Sequence, residues 1–274
     1  MTKTVAVVFT FLALAATLPA QAPPKTPAPK SQKELDAVLA IQNAPDPDAR
    51  IKAAQELVAK FADTEFKEFA LQMETLSHQQ KNDFDNMMIA GERTLEVNGD
   101  NVVVLITLSQ SIPQRTREHD LDKDEKLGKA EKFAKKAQML IPNLAKFNPQ
   151  IADEEWTGYK KSAMSQVHEA LGMISFTRKN FEAAEQSFKM AAEVAPQPDP
   201  TTFYRLGMAC KVQKKYDEAI AAFDKATAAG GVQVGGKDLA AQEKADTIKE
   251  KSAGAAKPAA PPAPAAPQVE IKRQ

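Results

Sequence analysis

Between Asp120 and Glu131, acidic side chains fall at alternate positions, with Asp120, Asp122 and Asp124 followed by a glutamate at the twelfth place. Oxygen ligands at that spacing are what a looped calcium site needs, and Leu127 stands at its usual apolar eighth place. The sixth place must turn sharply and is normally glycine. Here it is Glu125, and Lys123 and Lys126 would sit inside the coordination sphere. The better reading is a charged helix N-terminus, with Asp120 or Asp122 as cap and the acids complementing the helix dipole. The histidines His78, His119 and His168 are 41 or more residues apart, too far for a metal pair on one helix, and fit satisfied or half-buried roles. A single cysteine, Cys210, excludes an intramolecular disulfide framework and reads as a small buried hydrophobe. No serine occupies a nucleophile elbow and no glycine-rich loop could cradle a phosphate; Gly230-Gly231 and Gly235-Gly236 flank a turn. Carboxylate pairs such as Glu154-Glu155 read as solvated helix faces. No catalytic residue, metal or cofactor is expected, and the chain is read as non-enzymatic.

The elements that would position any site follow from composition. The 274 residues are 43% hydrophobic, 26% charged and 6% aromatic, with 36 basic and 36 acidic side chains. That balance lacks the basic footprint of a nucleic-acid binder. Glycine is scarce at 11, and ten of the 18 prolines fall in residues 19–29 and 258–267. The body between is therefore expected to be helical. Lys3, an apolar run and the small residues Leu18-Pro19-Ala20 have the layout of a secretory signal, so residues 1–20 are read as a signal peptide cleaved after Ala20, with Ala22 the other option. Residues 21–31 form a Pro/Ala-rich linker and 253–274 a Pro/Ala-rich tail ending in Val269–Gln274, a docking strand or a frayed end. No later apolar run approaches the eighteen or so residues of a membrane span, so the mature chain is expected to be exported, periplasmic or secreted, with no transmembrane segment.

Self-similarity dominates residues 32–252. Leu171-Gly172, Ala184 and Phe188 recur as Leu206-Gly207, Ala219 and Phe223, each 35 residues on, with twelve residues from glycine to alanine and four from alanine to phenylalanine. A Leu-Gly pair in a first helix lets a second helix cross closely, a small alanine faces it, and the aromatic fills the space beside the contact. These residues resemble tetratricopeptide repeats, antiparallel helix pairs stacked in a right-handed superhelix, so the expected fold is an all-α solenoid. The best repeats are 165–198 and 200–233. Degenerate ones span 68–101, where Met87 and Gly91 replace the alanine and aromatic, and 102–142, where nine residues are inserted between Ser109 and Ala130. A further insertion of roughly twenty residues, 143–163, carries Trp156 and Tyr159. Helices are also expected at 33–42 and 47–61, with Pro47 in the first turn behind the cap Asp46, and a polar cap helix at 237–251.

The resemblance implies a ligand groove on the first helices. Its lining would be Glu169, Met173 and Phe176, then Tyr204, Met208 and Lys211, extended by Ile106 and Gln110 and by Gln72, Leu76 and Gln79. The 143–163 insertion either leaves that groove open or fills it. The Lys/Asn clamp with which some family members hold a C-terminal carboxylate is absent, because Glu169 and Met173 stand in its slots. The function expected is a protein-interaction scaffold binding a peptide or protein partner. Alternatives are a self-associating structural component of the cell envelope or, more remotely, a metal-binding module built on the Asp120–Glu131 loop.

Overall fold

The computed structural model describes residues 27–255. The expected signal peptide, residues 21–26 of the linker and residues 256–274 of the tail lie outside them. The described residues form five helix pairs and one closing helix. The pairs are α1 (Gln32–Gln42) with α2 (Pro47–Lys60), α3 (Lys67–Gln80) with α4 (Phe84–Val97), α5 (Val102–Arg115) with α6 (Lys123–Leu140), α7 (Asp153–Thr177) with α8 (Phe181–Val194), and α9 (Pro200–Val212) with α10 (Tyr216–Ala228); α11 (Leu239–Ala255) follows. Each helix packs on its predecessor, and the buried apolar residues of the described chain form four clusters along the stack. This is an all-α helical-repeat solenoid. No helix among the described residues is long and apolar enough to cross a membrane.

Local chemistry sets the helix ends. Ser31, Asp46, Asp83, Asn101, Asn180 and Asp199 each accept a hydrogen bond from a backbone N–H in the following first turn. The turns from α3, α7 and α9 share one device. Asn82, Lys179 and Lys214 take left-handed φ values of 55°, 63° and 60°, and the next N–H reaches five residues back to close the helix, as from Asn180 to the Ser175 carbonyl at 2.9 Å.

In the two best repeats the aromatic lies directly on the glycine. A Cβ on Gly172 would stand 2.5 Å from Phe188 Cε1, and one on Gly207 would stand 2.5 Å from Phe223 Cε1. Ala184, Phe188, Ala219 and Phe223 are fully buried. Leucine at Ala219 has no room at this crossing and should lower stability by about 1–3 kcal/mol, read from a thermal melt; an unmoved midpoint would contradict the contact. The 68–101 pair fills the same space differently. A Cβ on Gly91 would meet Leu108 Cδ2 at 2.8 Å, so a side chain from the next pair occupies what an aromatic would take.

Two segments differ from the sequence expectation. Half of the 143–163 insertion is helix: after a single 3-10 turn at Ile141–Asn143 and a loop, α7 starts at Asp153 and runs 25 residues. Its acidic first turn, Asp153-Glu154-Glu155, suits a helix N-terminus, and Ala163 and Val167 bury against α5 and α6. The closing helix begins at Leu239 rather than at 237, because Lys237 and Asp238 pair with Gln233 and Val234 in a small antiparallel hairpin, β1 (Gln233–Val234) with β2 (Lys237–Asp238). Asp238 Oδ1 accepts from the N–H groups of Val232 and Ala240, both at 3.0 Å, and so closes the hairpin onto the helix start. At the other end, residues 28–30 of the linker are pinned. Ala28 N donates to Glu65 Oε2 at 3.1 Å, and Lys30 N to Glu34 Oε2 at 2.6 Å.

Candidate functional site

The first helices α5, α7 and α9 lie side by side, and two contacts tie them together. Gln110 of α5 donates to the Gln166 carbonyl of α7 at 3.4 Å, and Arg205 of α9 is ion-paired with Glu169 of α7. Between them opens a cleft of about 390 Å3, bordered by Gln110 and Gln114, by Ser162, Gln166 and Glu169, and by Thr201 and Arg205. Gln110 and Gln114 also border a second cleft of about 220 Å3 that continues towards Gln79 and Asn82. Amides and hydroxyls thus recur along the surface, beside the charged Glu169, Asp199 and Arg205 and the apolar Ala195, Phe84 and Met87.

The expected groove residues divide. Gln110 and Glu169 line the main cleft together, and Gln79 lines its continuation. Met173, Phe176, Tyr204 and Met208 are half-buried against the cluster formed by α8 to α11, and Phe176 meets Phe181 edge-on at 5.2 Å while Tyr204 tilts onto Phe223 at 6.0 Å. Ile106 is buried between α5 and α7. Lys211 pairs with Glu243 at 2.8 Å and Glu250 at 3.2 Å, because α11 lies beside α9 as a further first helix would. Gln72 faces elsewhere, accepting from Asn101 at 2.7 Å. Gln114, Ser162, Gln166, Gln197 and Arg205 are additions that the sequence reading lacks. Ser162, Gln166, Glu169, Met173 and Phe176 form one heptad stripe, so running the α7 stripe towards its N-terminus finds the missing members.

The insertion leaves this cleft open, with only Ser162 at its border. Its aromatics gather at the N-terminal ends of α3 and α5, where Leu144, Phe147, Trp156 and Tyr159 border a separate cleft of about 400 Å3 with Glu68 and Val103. Trp156 stacks on Tyr159 at 4.9 Å and donates its indole N–H to the Leu144 carbonyl at 3.2 Å, which folds the loop back on α7. Phe147, 74% exposed, meets both rings edge-on.

The remaining candidates are accounted for by packing. Lys126 Nζ lies 2.9 Å from Asp122 and 3.4 Å from Asp120, so an ammonium sits where the loop's carboxylates converge, while Glu131 turns to Lys135 and Arg178. Neither Asp120 nor Asp122 makes a side-chain cap bond to the first turn of α6. Asp120 instead accepts from Arg117 N at 3.0 Å, and this bond, with Lys126, lowers its pKa despite the opposing effect of burial. Among the described residues no group of three or more His, Cys, Asp or Glu side chains is placed to hold a metal. His168 is buried and its pKa lowered by that burial; His78 bonds Asp83 at 3.0 Å. Cys210 is buried, which pushes its thiol up to about 11.

The family model for the tetratricopeptide repeat matches residues 200–229, the segment of α9 and α10. Among solved structures the chain is similar to a thermophilic TPR protein of Thermus thermophilus, at 16% identity over 80% of this chain and 98% of that one, with a TM-score of 0.51. It is also similar to a tetratricopeptide repeat protein of Parabacteroides merdae, at 10% identity over 80% of this chain and all of that one, with a TM-score of 0.34. No curated protein sequence matches the chain. The repeat match and the Thermus likeness support the tetratricopeptide reading of the helix pairs; at that identity the structural likeness speaks for the fold alone.

Proposed function

We propose that the protein is a non-enzymatic interaction scaffold of an extracytoplasmic compartment, holding an extended segment of a protein partner along its first helices. The observation that carries this reading is the open cleft across α5, α7 and α9. Several charged side chains elsewhere are spent on ion pairs between helices, such as Lys129 with Glu92 and Lys244 with Asp224. This cleft instead offers exposed amides at Gln114, Gln166 and Gln197. Those groups both give and accept hydrogen bonds, which suits a peptide backbone. The thiol held near 11 is a poor nucleophile at neutral pH, which agrees with a role without catalysis. Export rests on the layout of residues 1–22.

A photo-crosslinking amino acid at Gln166 tests the reading against the same group at Met190, a half-exposed position on the second-helix row. Exported protein carrying the group at Gln166 is expected to yield a discrete protein adduct and a mature N-terminus at Gln21. Equal adducts from both positions, or adducts only from Met190, would place the partner off the cleft.

A further inference from the structure

We infer that the cleft selects a peptide with a basic side chain, lysine or arginine, seated against Glu169. The inference rests on the groove reading above and specifies the chemistry of the occupant.

Glu169 is 7% exposed, and Arg205 engages only its Oε2. The other oxygen, Oε1, is buried and has no hydrogen-bond partner. A buried acceptor with no donor from the protein is uncommon in folded proteins and calls for an explanation. At the border of a cleft, a ligand donor supplies one. The sign of the donor follows from the lining. Its ionisable side chains are Glu169, Asp199 and Arg205, two carboxylates against one guanidinium, so an incoming cation is favoured over an anion. Asp199 is committed to the start of α9, where Oδ1 accepts from Thr201 N at 2.6 Å. Asp199 is exposed to solvent, whereas Glu169 is the lining's buried carboxylate, where a cation is attracted more strongly because solvent screens it less. Lysine and arginine carry donors only, so they complement that oxygen without adding an acceptor that would repel it. Arg205, three-quarters buried and itself on the cleft border, holds the carboxylate in place through Oε2. The cleft's size, about 390 Å3, falls within the range of about 300–1,000 Å3 typical of small-ligand sites, which admits one long side chain and its neighbouring peptide groups.

The test uses the full-length chain labelled with 15N and two blocked pentapeptides of glycine and alanine. One has a central arginine and the other a central citrulline, which keeps the shape and loses the charge. The arginine peptide is expected to shift the amides of Gln110, Gln166, Glu169 and Arg205, with an affinity about tenfold above that of the citrulline peptide, the worth of one charge-assisted hydrogen bond. Glu169→Gln should remove the preference. Arg205→Gln leaves two carboxylates facing the probe and should strengthen arginine binding; weakening there would give the recognition to Arg205 and overturn the inference. Should Glu169→Gln fail to fold, the wild-type pair of titrations and Arg205→Gln still decide. Equal affinities for the two peptides at the cleft would overturn the basic preference and leave the groove reading standing. Peptides that shift no cleft amide overturn the inference too, and the crosslinking comparison then decides separately whether the groove reading goes with it.

Discussion

Replacing Phe223 by alanine is expected to destabilise the protein by about 3–5 kcal/mol, the cost of removing a fully buried aromatic whose space the surroundings cannot refill. Refilling is hindered because the ring lies on Gly207, whose backbone offers no side chain to move into the void. The reciprocal change, Gly207→Ser, puts a Cβ 2.5 Å from the ring and should cost about 1–3 kcal/mol by overpacking. The two residues share one volume, so their effects should not add. The double variant, with a small side chain on each helix, is expected to cost at least about 0.5 kcal/mol less than the sum of the single changes in urea denaturation. Additive values would mean that ring and glycine are not coupled and that the repeat motif has another basis.

That shared volume also explains which parts of the fold are legible in the sequence. Where both partners belong to one pair, as with Gly172 and Phe188, their spacing announces the crossing and the repeat is plain. At Gly91 the filling side chain is Leu108, seventeen residues on and in the next pair, so no pattern within the pair reveals it. The 68–101 repeat looks degenerate because half of its motif is supplied from outside. The start of α7 is hidden for another reason. Residues 153–163 match no repeat, and their helical character rests on an acidic first turn and the burial of Trp156 and Ala163, which repeat alignment does not weigh.

The candidate site is half legible. The heptad stripe places Glu169 and Gln110 on the cleft, since a helix face follows from spacing alone. Spacing does not tell which end of the stripe is open. The apolar end, Met173 to Met208, is drawn into the core by Phe181 and Phe223, because apolar surface is buried wherever a neighbour can cover it. Lys211 looks free for a ligand until α11 brings Glu243 and Glu250 beside it. Long-range neighbours decide each case.

Glu185 on α8 should govern acid stability. It is 5% exposed, and its carboxylate accepts from Lys189 at 2.5 Å, Lys215 at 2.7 Å and Gln213 at 2.9 Å, binding α8 to the turn between α9 and α10. Burial alone would push its pKa up, but the donors outweigh burial and hold it at about 2, down from 4.5. A carboxylate with a lowered folded pKa binds protons more readily when unfolded, so stability rises with pH across that interval. The contribution is therefore complete above about pH 4.5 and fades as pH falls towards 2. Glu185→Gln is expected to cost about 2–3 kcal/mol at pH 7, within the range for charged hydrogen bonds and below that for a fully buried pair because both lysines reach solvent. The gap between wild type and variant should then narrow steadily below pH 4.5. Other carboxylates with lowered values, Asp83 and Glu131 among them, titrate in the same direction but are present in both proteins and cancel from the difference. A gap that stays constant from pH 7 to 2.5 in urea melts would show that the glutamate acts through its shape rather than its charge.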